Sequence, residues 1–328
     1  ACAAVGARLF VFGGRSNSGR LAPGLYLLDM LSGRWTQPAV AGDAPDLRWG
    51  HSMSSYRQWV AVFGGHRKRG CLDDVALLDT EAMAWETPAV VGARPPPRGN
   101  HSACVVSDRL WVFGGDSASA SVLPNTVWSL PLPKAAASAA AAAAAAEPPR
   151  AAATVSWALV SATGEPPPPS CDHAAVVVGA RILLLGGSNG EGSYLPLGKV
   201  PVFHTDTLSW SWLSCTGRVP GARAGHVAAT VSSGGGGSAD WRVFVFGGGN
   251  SSSGFCDMHA LSSDACWEPL PSSTAADAAA QPSATEGAAM AHSGGMLLVC
   301  GGYTAAGATR QVYAWGCEPS LAAPAGHG

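Results

Sequence analysis

The stretch RWGHSMSSYRQWVAVFGGHRKRGCLDDVALLDTEAMAWETPAVVG, residues 48–92, decides the fold. A polar turn and His51 lead into a short β-prone run, and a second run, Trp59–Phe63, ends on Gly64-Gly65. A basic loop follows, then DDVALLDT, a tight turn, and Trp85 opening a last segment before a proline run. Runs rich in Val, Leu, Phe and Trp, separated by Gly, Pro, Asp and Ser, read as four short strands.

The same order recurs along the chain. Apolar runs close on a glycine doublet six times: Gly13-Gly14, Gly64-Gly65, Gly114-Gly115, Gly186-Gly187, Gly247-Gly248 and Gly301-Gly302. The first two intervals are 51 and 50 residues, the later ones 72, 61 and 54. A tryptophan marks the fourth segment of five units: Trp35, Trp85, Trp157, Trp210 and Trp267. Four antiparallel strands per repeat, arranged around a channel, make a propeller blade. A glycine pair allows positive φ and close backbone approach where a strand breaks into its loop. The tryptophan supplies buried area between blades, with an N–H that needs an acceptor.

The doublet, the apolar third strand ending near Asp and the fourth-strand Trp, repeated in this order, resemble the kelch repeat, whose period is about 50 residues. The resemblance covers nearly the whole chain. It implies an all-β, six-bladed β-propeller of the galactose oxidase/kelch superfamily, with four antiparallel strands per blade. The expected organisation is one domain over 1–328, with blades at about 1–47, 48–98, 99–169, 170–223, 224–285 and 286–328. Residues 134–153, with eight alanines at 139–146, read as a low-complexity insertion, and 273–287 as a soft linker between blades 5 and 6. GGGGSAD (234–240) lengthens the first hairpin of blade 5, setting His226 21 residues ahead of its doublet rather than 13. Blade 1 lacks its lead-in and blade 6 lacks an outer strand, so closure by a strand upstream of residue 1 is expected.

Composition bounds the function. The chain has 328 residues, 47% hydrophobic and 13% charged, with 42 Gly and 24 Pro, as a turn-rich ordered β protein should. A net charge of −2 argues against a dedicated nucleic-acid binder, and no apolar run approaches the ~20 residues that span a bilayer. Nine cysteines without a C-x-x-C pair read as reduced thiols of a cytoplasmic or nuclear protein.

Alternation of strands A to D from the channel outward puts the B–C and D–A loops on one face. Eight of the twenty Lys and Arg crowd that face over blades 1 to 3: Arg15, Arg20, Arg48, Arg67, Lys68, Arg69, Arg94 and Arg98, with His66 among them. Blades 4 and 5 place neutral loops there, with Asn189 and Asn250. Guanidinium forks grip carboxylate and phosphate, so this sector suits an acidic or phosphorylated peptide. The alternative is that these loops are simply solvated and that Arg48 and Arg98 belong to the blade junction. His51, His101, His173 and His226 occupy equivalent places around a wide channel, which suits a structural role rather than a shared metal. Asp73-Asp74 opens a third strand; turn capping explains the pair better than acid–base chemistry.

The resemblance implies a protein-binding module, monomeric and without a cofactor. RWGHSMS…FGGHRKRGCLDDVALLD with PRGNHSACVV resembles the kelch part of plant and algal F-box photoreceptors, which implies substrate recognition in a ubiquitin ligase; kelch phosphatases and acyl-CoA-binding proteins are comparable. An enzyme reading draws on galactose oxidase, whose copper site uses Tyr, Cys and His; only five tyrosines occur here, and Tyr26 and Tyr313 hold equivalent strand positions. No glutamate begins the E-x-x-x-D-x-x-x-H iron motif of kelch specifier proteins. A structural or cytoskeletal scaffold is the third alternative.

Overall fold

A computed structural model describes residues 1–133, 154–232, 240–270, 282–293 and 295–317. They form six blades in chain order, each an antiparallel sheet, with two short parallel pairings at outer strands, one further two-stranded hairpin and no helix. Blade 2 shows the plan: strand A Ser52–Tyr56, B Trp59–His66, C Cys71–Asp79 and D Ala84–Glu86, hydrogen-bonded in that order. Blades 1, 3, 4 and 5 repeat it. Blade 6 has three strands among the described residues: Ala289–Ser293, Met296–Cys300 and Val312–Gly316. The A strands line a central channel of about 390 Å³, walled by small and aliphatic side chains with His292.

The core lies between blades. Six apolar clusters each join one blade to the next. In three junctions the aromatic residue before one doublet meets the fourth-segment Trp of the following blade. Phe12 packs on Trp85 at 5.4 Å between centroids, Phe63 on Trp157 at 5.0 Å and Phe113 on Trp210 at 5.9 Å. The Trp267 indole is 1% exposed and donates to the Leu197 carbonyl at 2.9 Å. Blade 6 solves the problem differently. Trp315 stands on strand C, opposite Leu297, and reaches Phe246 at 5.4 Å.

Trp35 departs from the expectation of a buried outer-strand tryptophan, being 42% exposed. The pre-doublet position of blade 6 is Cys300, and Trp35 makes no ring contact of the kind that Trp85, Trp157 and Trp210 make among the described residues. The apolar cluster at that junction has five buried residues and no aromatic among them.

The doublets are the joints between blades. The second glycine of the first five doublets donates its N–H to the lead-in of the next blade: Gly14 to Arg48 at 2.8 Å, Gly65 to Arg98 at 2.7 Å, Gly115 to Ser170 at 3.0 Å, Gly187 to Arg223 at 2.9 Å and Gly248 to Thr285 at 2.8 Å. At Gly65, φ is +103° and a Cβ would lie 2.7 Å from that of His51, so only glycine fits. A second glycine signature lies nine residues before each lead-in histidine, at Gly42, Gly92, Gly164 and Gly217. There the connection from one D strand runs parallel to the next: Ala41 bridges Ala84, and Thr163 bridges Ser209. A Cβ on Gly42, Gly164 or Gly217 would lie 2.3–2.4 Å from the carbonyl of Trp85, Trp210 or Trp267 respectively.

The low-complexity insertion at 134–153 lies outside the described residues, as do 233–239 in the lengthened hairpin and 318–328. Of the segment read as a linker, 273–281 also lies outside them. At its described end, Thr285, Glu286 and Gly287 make the lead-in bonds of blade 6, to Gly248, Tyr303 and Gly225.

Candidate functional site

The doublet face is organised by its lead-in turns. Gly50, Asn100, Asp172, Gly225 and Gly287 each precede the first strand of a blade, all with φ between 51° and 65°. Their backbones form a chain around the channel mouth. Asn100 donates to Gly50 at 2.7 Å, Asp172 to Asn100 at 2.9 Å, Gly225 to Asp172 at 2.8 Å and Gly287 to Gly225 at 2.8 Å. The histidines that follow turn inward. Phe12 meets His51 edge-on at 5.7 Å and Phe63 meets His101 at 5.1 Å. Burial holds His51 and His101 well below the usual imidazole range, with His173 lowered to about 4 and His226 to about 3. They are neutral packing groups. No group of three or more His, Cys, Asp or Glu among the described residues could hold a metal ion.

Arg48 and Arg98, expected on the binding surface, are buried. Each closes a joint. The Arg48 guanidinium donates to the Gly64 carbonyl at 3.0 Å and, through two nitrogens, to Asp74 at 2.6 and 2.8 Å. Arg223 repeats this with Gly247 and with Asp257. Arg98 reaches the Gly114 carbonyl at 2.8 Å, and Thr126 occupies the strand position of Asp74 and Asp257. Burial alone lowers Arg98 to about 10. Asp74 is therefore an arginine anchor, not a turn cap. Asn189 and Asn250 are also engaged: each carboxamide oxygen accepts two backbone N–H groups of its own loop.

Arg67, Lys68 and Arg69 line one groove. Blade 2 is distinctive because strands B and C run eight and nine residues, against five each in blades 1 and 3. The pairing resumes past a bulge, with Gly65 opposite Leu72 and His66 opposite Cys71. A turn closed by Arg67 N–H to the Gly70 carbonyl, 3.0 Å, completes a rigid hairpin. Its exposed tip is Arg67-Lys68-Arg69. Beside it, Leu21, Asp46 and Leu47 complete a groove of about 460 Å³. Arg67 holds Asp46 at 3.3 Å across the groove wall. Arg20 and Arg94 are exposed.

Arg15 and His66 are joined by Trp49. The Arg15 guanidinium lies 4.8 Å from the Trp49 ring and His66 stacks on the indole at 5.2 Å. His66 Nε2 is 2.9 Å from Asp116 and its Nδ1 is 3.2 Å from the Cys71 sulfur. Burial pushes the Cys71 thiol up, so the row Cys71–His66–Asp116 holds a protonated thiol rather than an activated thiolate. Towards the channel mouth the charge reverses. Asp172, raised to about 6 chiefly by burial and then by Asp116, stands with Glu286 as a weakly acidic lip. Trp49, Leu21, Leu47, Asp116 and Asp172 were absent from the sequence-based site. The available signal was positional: Arg15, His66, Asp116, Ser188, Gly249 and Tyr303 all follow a doublet directly, so they share one ring of the face.

The profile of the KLHDC2/KLHL20/DRC7 kelch-repeats domain matches residues 1–155 and 173–319. Among curated proteins, acyl-CoA-binding domain-containing protein 4 of Arabidopsis thaliana is 37% identical over 70 residues, 21% of this chain and 10% of that protein. Adagio-like protein 3 of Oryza sativa subsp. japonica is 37% identical over 81 residues, 24% of this chain and 12% of its own. A probable serine/threonine-protein kinase of Dictyostelium discoideum is 31% identical over 78 residues, 23% and 6%. The matched segment thus spans 12% or less of each relative's length.

Proposed function

Because this chain belongs to the KLHDC2/KLHL20/DRC7 kelch-repeat family, we propose that it is a non-catalytic recognition module that holds a protein partner by an acidic segment laid against the blade 2 hairpin. Kelch propellers typically bind proteins, and the family is generally non-catalytic. The observation that carries the reading is the hairpin itself. The strands are extended on a rigid sheet, the tip has three consecutive cations, and a groove beside it offers two leucines. Arginine forks match carboxylate and phosphate, and the leucines supply an apolar anchor point. Loops held on a rigid scaffold are where binding residues concentrate.

The enzyme alternative gains little from the doublet face, because its one thiol–imidazole–carboxylate row has a thiol whose ionisation burial opposes. No helix among the described residues is long and apolar enough to cross a membrane. We read the module as monomeric, cytoplasmic or nuclear, and as the recognition part of a larger adaptor such as a ubiquitin ligase. Affinity capture with the wild-type chain and with Arg67→Glu/Lys68→Glu/Arg69→Glu, at equal loading, tests the surface. Partners recovered by the wild type and lost by the variant support it; equal recovery removes the hairpin from the reading.

A further inference from the structure

The junction between blades 6 and 1 is built unlike the other five. Among the described residues it has none of the doublet-to-lead-in backbone bonds. It is held instead by side chains, Ser293 to the Gly6 carbonyl at 2.7 Å and Asn17 accepting from Ala308 N–H at 2.6 Å, with Tyr303 donating to the Arg15 carbonyl. Its apolar cluster is Leu9, Leu28, Ala291, Leu298 and Cys300, with Cys2 packed against it. Cys2, on strand A of blade 1, packs against the cluster that holds Cys300, at the end of strand B of blade 6. Cys2 also lines the central channel, so small solutes reach it from water, with Cys300 buried behind it. Both cysteines are reduced.

We propose that Cys2 and Cys300 form a thiol–disulfide modification site that takes a small disulfide as co-substrate and covalently closes the ring. One thiolate of the pair attacks a sulfur of the reagent; an S–S bond forms to the protein, the reagent S–S bond breaks, and one half leaves as a thiolate. The second protein thiolate then attacks this mixed disulfide and expels the other half. Two protein thiols are oxidised to one disulfide and the reagent is reduced to two thiols, which take up the two protons. The neighbouring Cys2 thiol draws the Cys300 thiol below its usual value. Linking the two ends of so long a stretch of chain constrains the unfolded state strongly, and more than a short loop would.

The test equilibrates the purified chain with bis(2-hydroxyethyl) disulfide against 2-mercaptoethanol over a range of ratios. Chymotryptic mapping without reduction, which separates Cys300 from Cys256 and Cys266, is expected to give a cross-linked peptide pair containing Cys2 and Cys300, ahead of any other pairing of the nine cysteines. The cross-linked chain is expected to unfold several degrees higher than the reduced one. Cys2→Ser and Cys300→Ser are each expected to abolish both the cross-link and the reagent-dependent shift. Should a serine variant fail to fold, the wild-type map alone decides. Cys2 and Cys300 recovered only as free thiols or separate reagent adducts would overturn the proposal, as would a cross-link that leaves the unfolding temperature unchanged.

Discussion

Arg48 is fully buried, yet it donates through two nitrogens to Asp74, at 2.6 and 2.8 Å, while its own carbonyl accepts the Gly14 N–H. One residue therefore ties the doublet of blade 1 to the third strand of blade 2. Removing the side chain leaves the Gly64 carbonyl without its donor and Asp74 without its counter-ion. Arg48→Ala is expected to cost about 3 kcal/mol in urea denaturation. Arg48→Lys, which cannot grip both carboxylate oxygens and the carbonyl together, should recover less than half of that.

The equivalent joint in blade 3 has the arginine but not the acid. Thr126 stands where blades 2 and 5 have Asp74 and Asp257. Thr126→Asp should give Arg98 a partner and raise stability by about 1 kcal/mol. The same change with Arg98→Ala should lose that gain, which a double-mutant cycle in urea measures.

Doublet positions differ in what an added methyl would meet. Gly14 has open space around it, whereas at Gly65 a Cβ would lie 2.7 Å from the His51 Cβ and 2.9 Å from the Trp49 carbonyl. Both have positive φ, so both pay backbone strain of about 1–2 kcal/mol. Gly65→Ala adds the displacement of a joint and should cost at least about 2 kcal/mol more than Gly14→Ala, read from chemical unfolding midpoints.

Acid should weaken the ring through its neutral histidines. An exposed imidazole in the unfolded chain takes a proton near pH 6.5, while buried His173 and His226 resist until about 4 and about 3. The unfolded state therefore binds more protons through this window, so stability is complete above pH 6.5 and falls as pH drops. At pH 5 the loss is at most about 2 kcal/mol per histidine. Asp172, raised to about 6, works in the opposite direction because the folded state takes up its proton first. Its contribution between pH 7 and 5 is about 1.4 kcal/mol, too small to offset four histidines. Unfolding temperature measured from pH 7.5 to 5 should decline, and His173→Gln should flatten the decline.

The fold was legible because its signals are local and repeated. Six doublets, five fourth-strand tryptophans and the lead-in histidines each occupy a place that backbone geometry or interblade packing demands. The site was only half legible. Arg67, Lys68 and Arg69 were identifiable as a basic loop, but nothing local shows that strands B and C extend beneath them. Arg48 and Arg98 lie in Gly- and Pro-rich connections, where arginine ordinarily faces water. Their burial shows only when spacings are compared: Arg48, Arg98 and Arg223 all lie three residues before a lead-in histidine, and two of them match an aspartate at the start of strand C. Trp35 misled for the opposite reason. Its own strand follows the pattern, but the junction between blades 6 and 1 draws residues from both ends of the chain and buries no aromatic among those described.

Selection from a random displayed-peptide library on the immobilised chain tests the recognition surface most directly. The account predicts enrichment of sequences with clustered Asp and Glu beside a large apolar residue, weakening as salt is raised and lost with Arg67→Glu/Lys68→Glu/Arg69→Glu. Enrichment of sequences without acidic residues, or equal binding of the selected peptides to the variant, would contradict it.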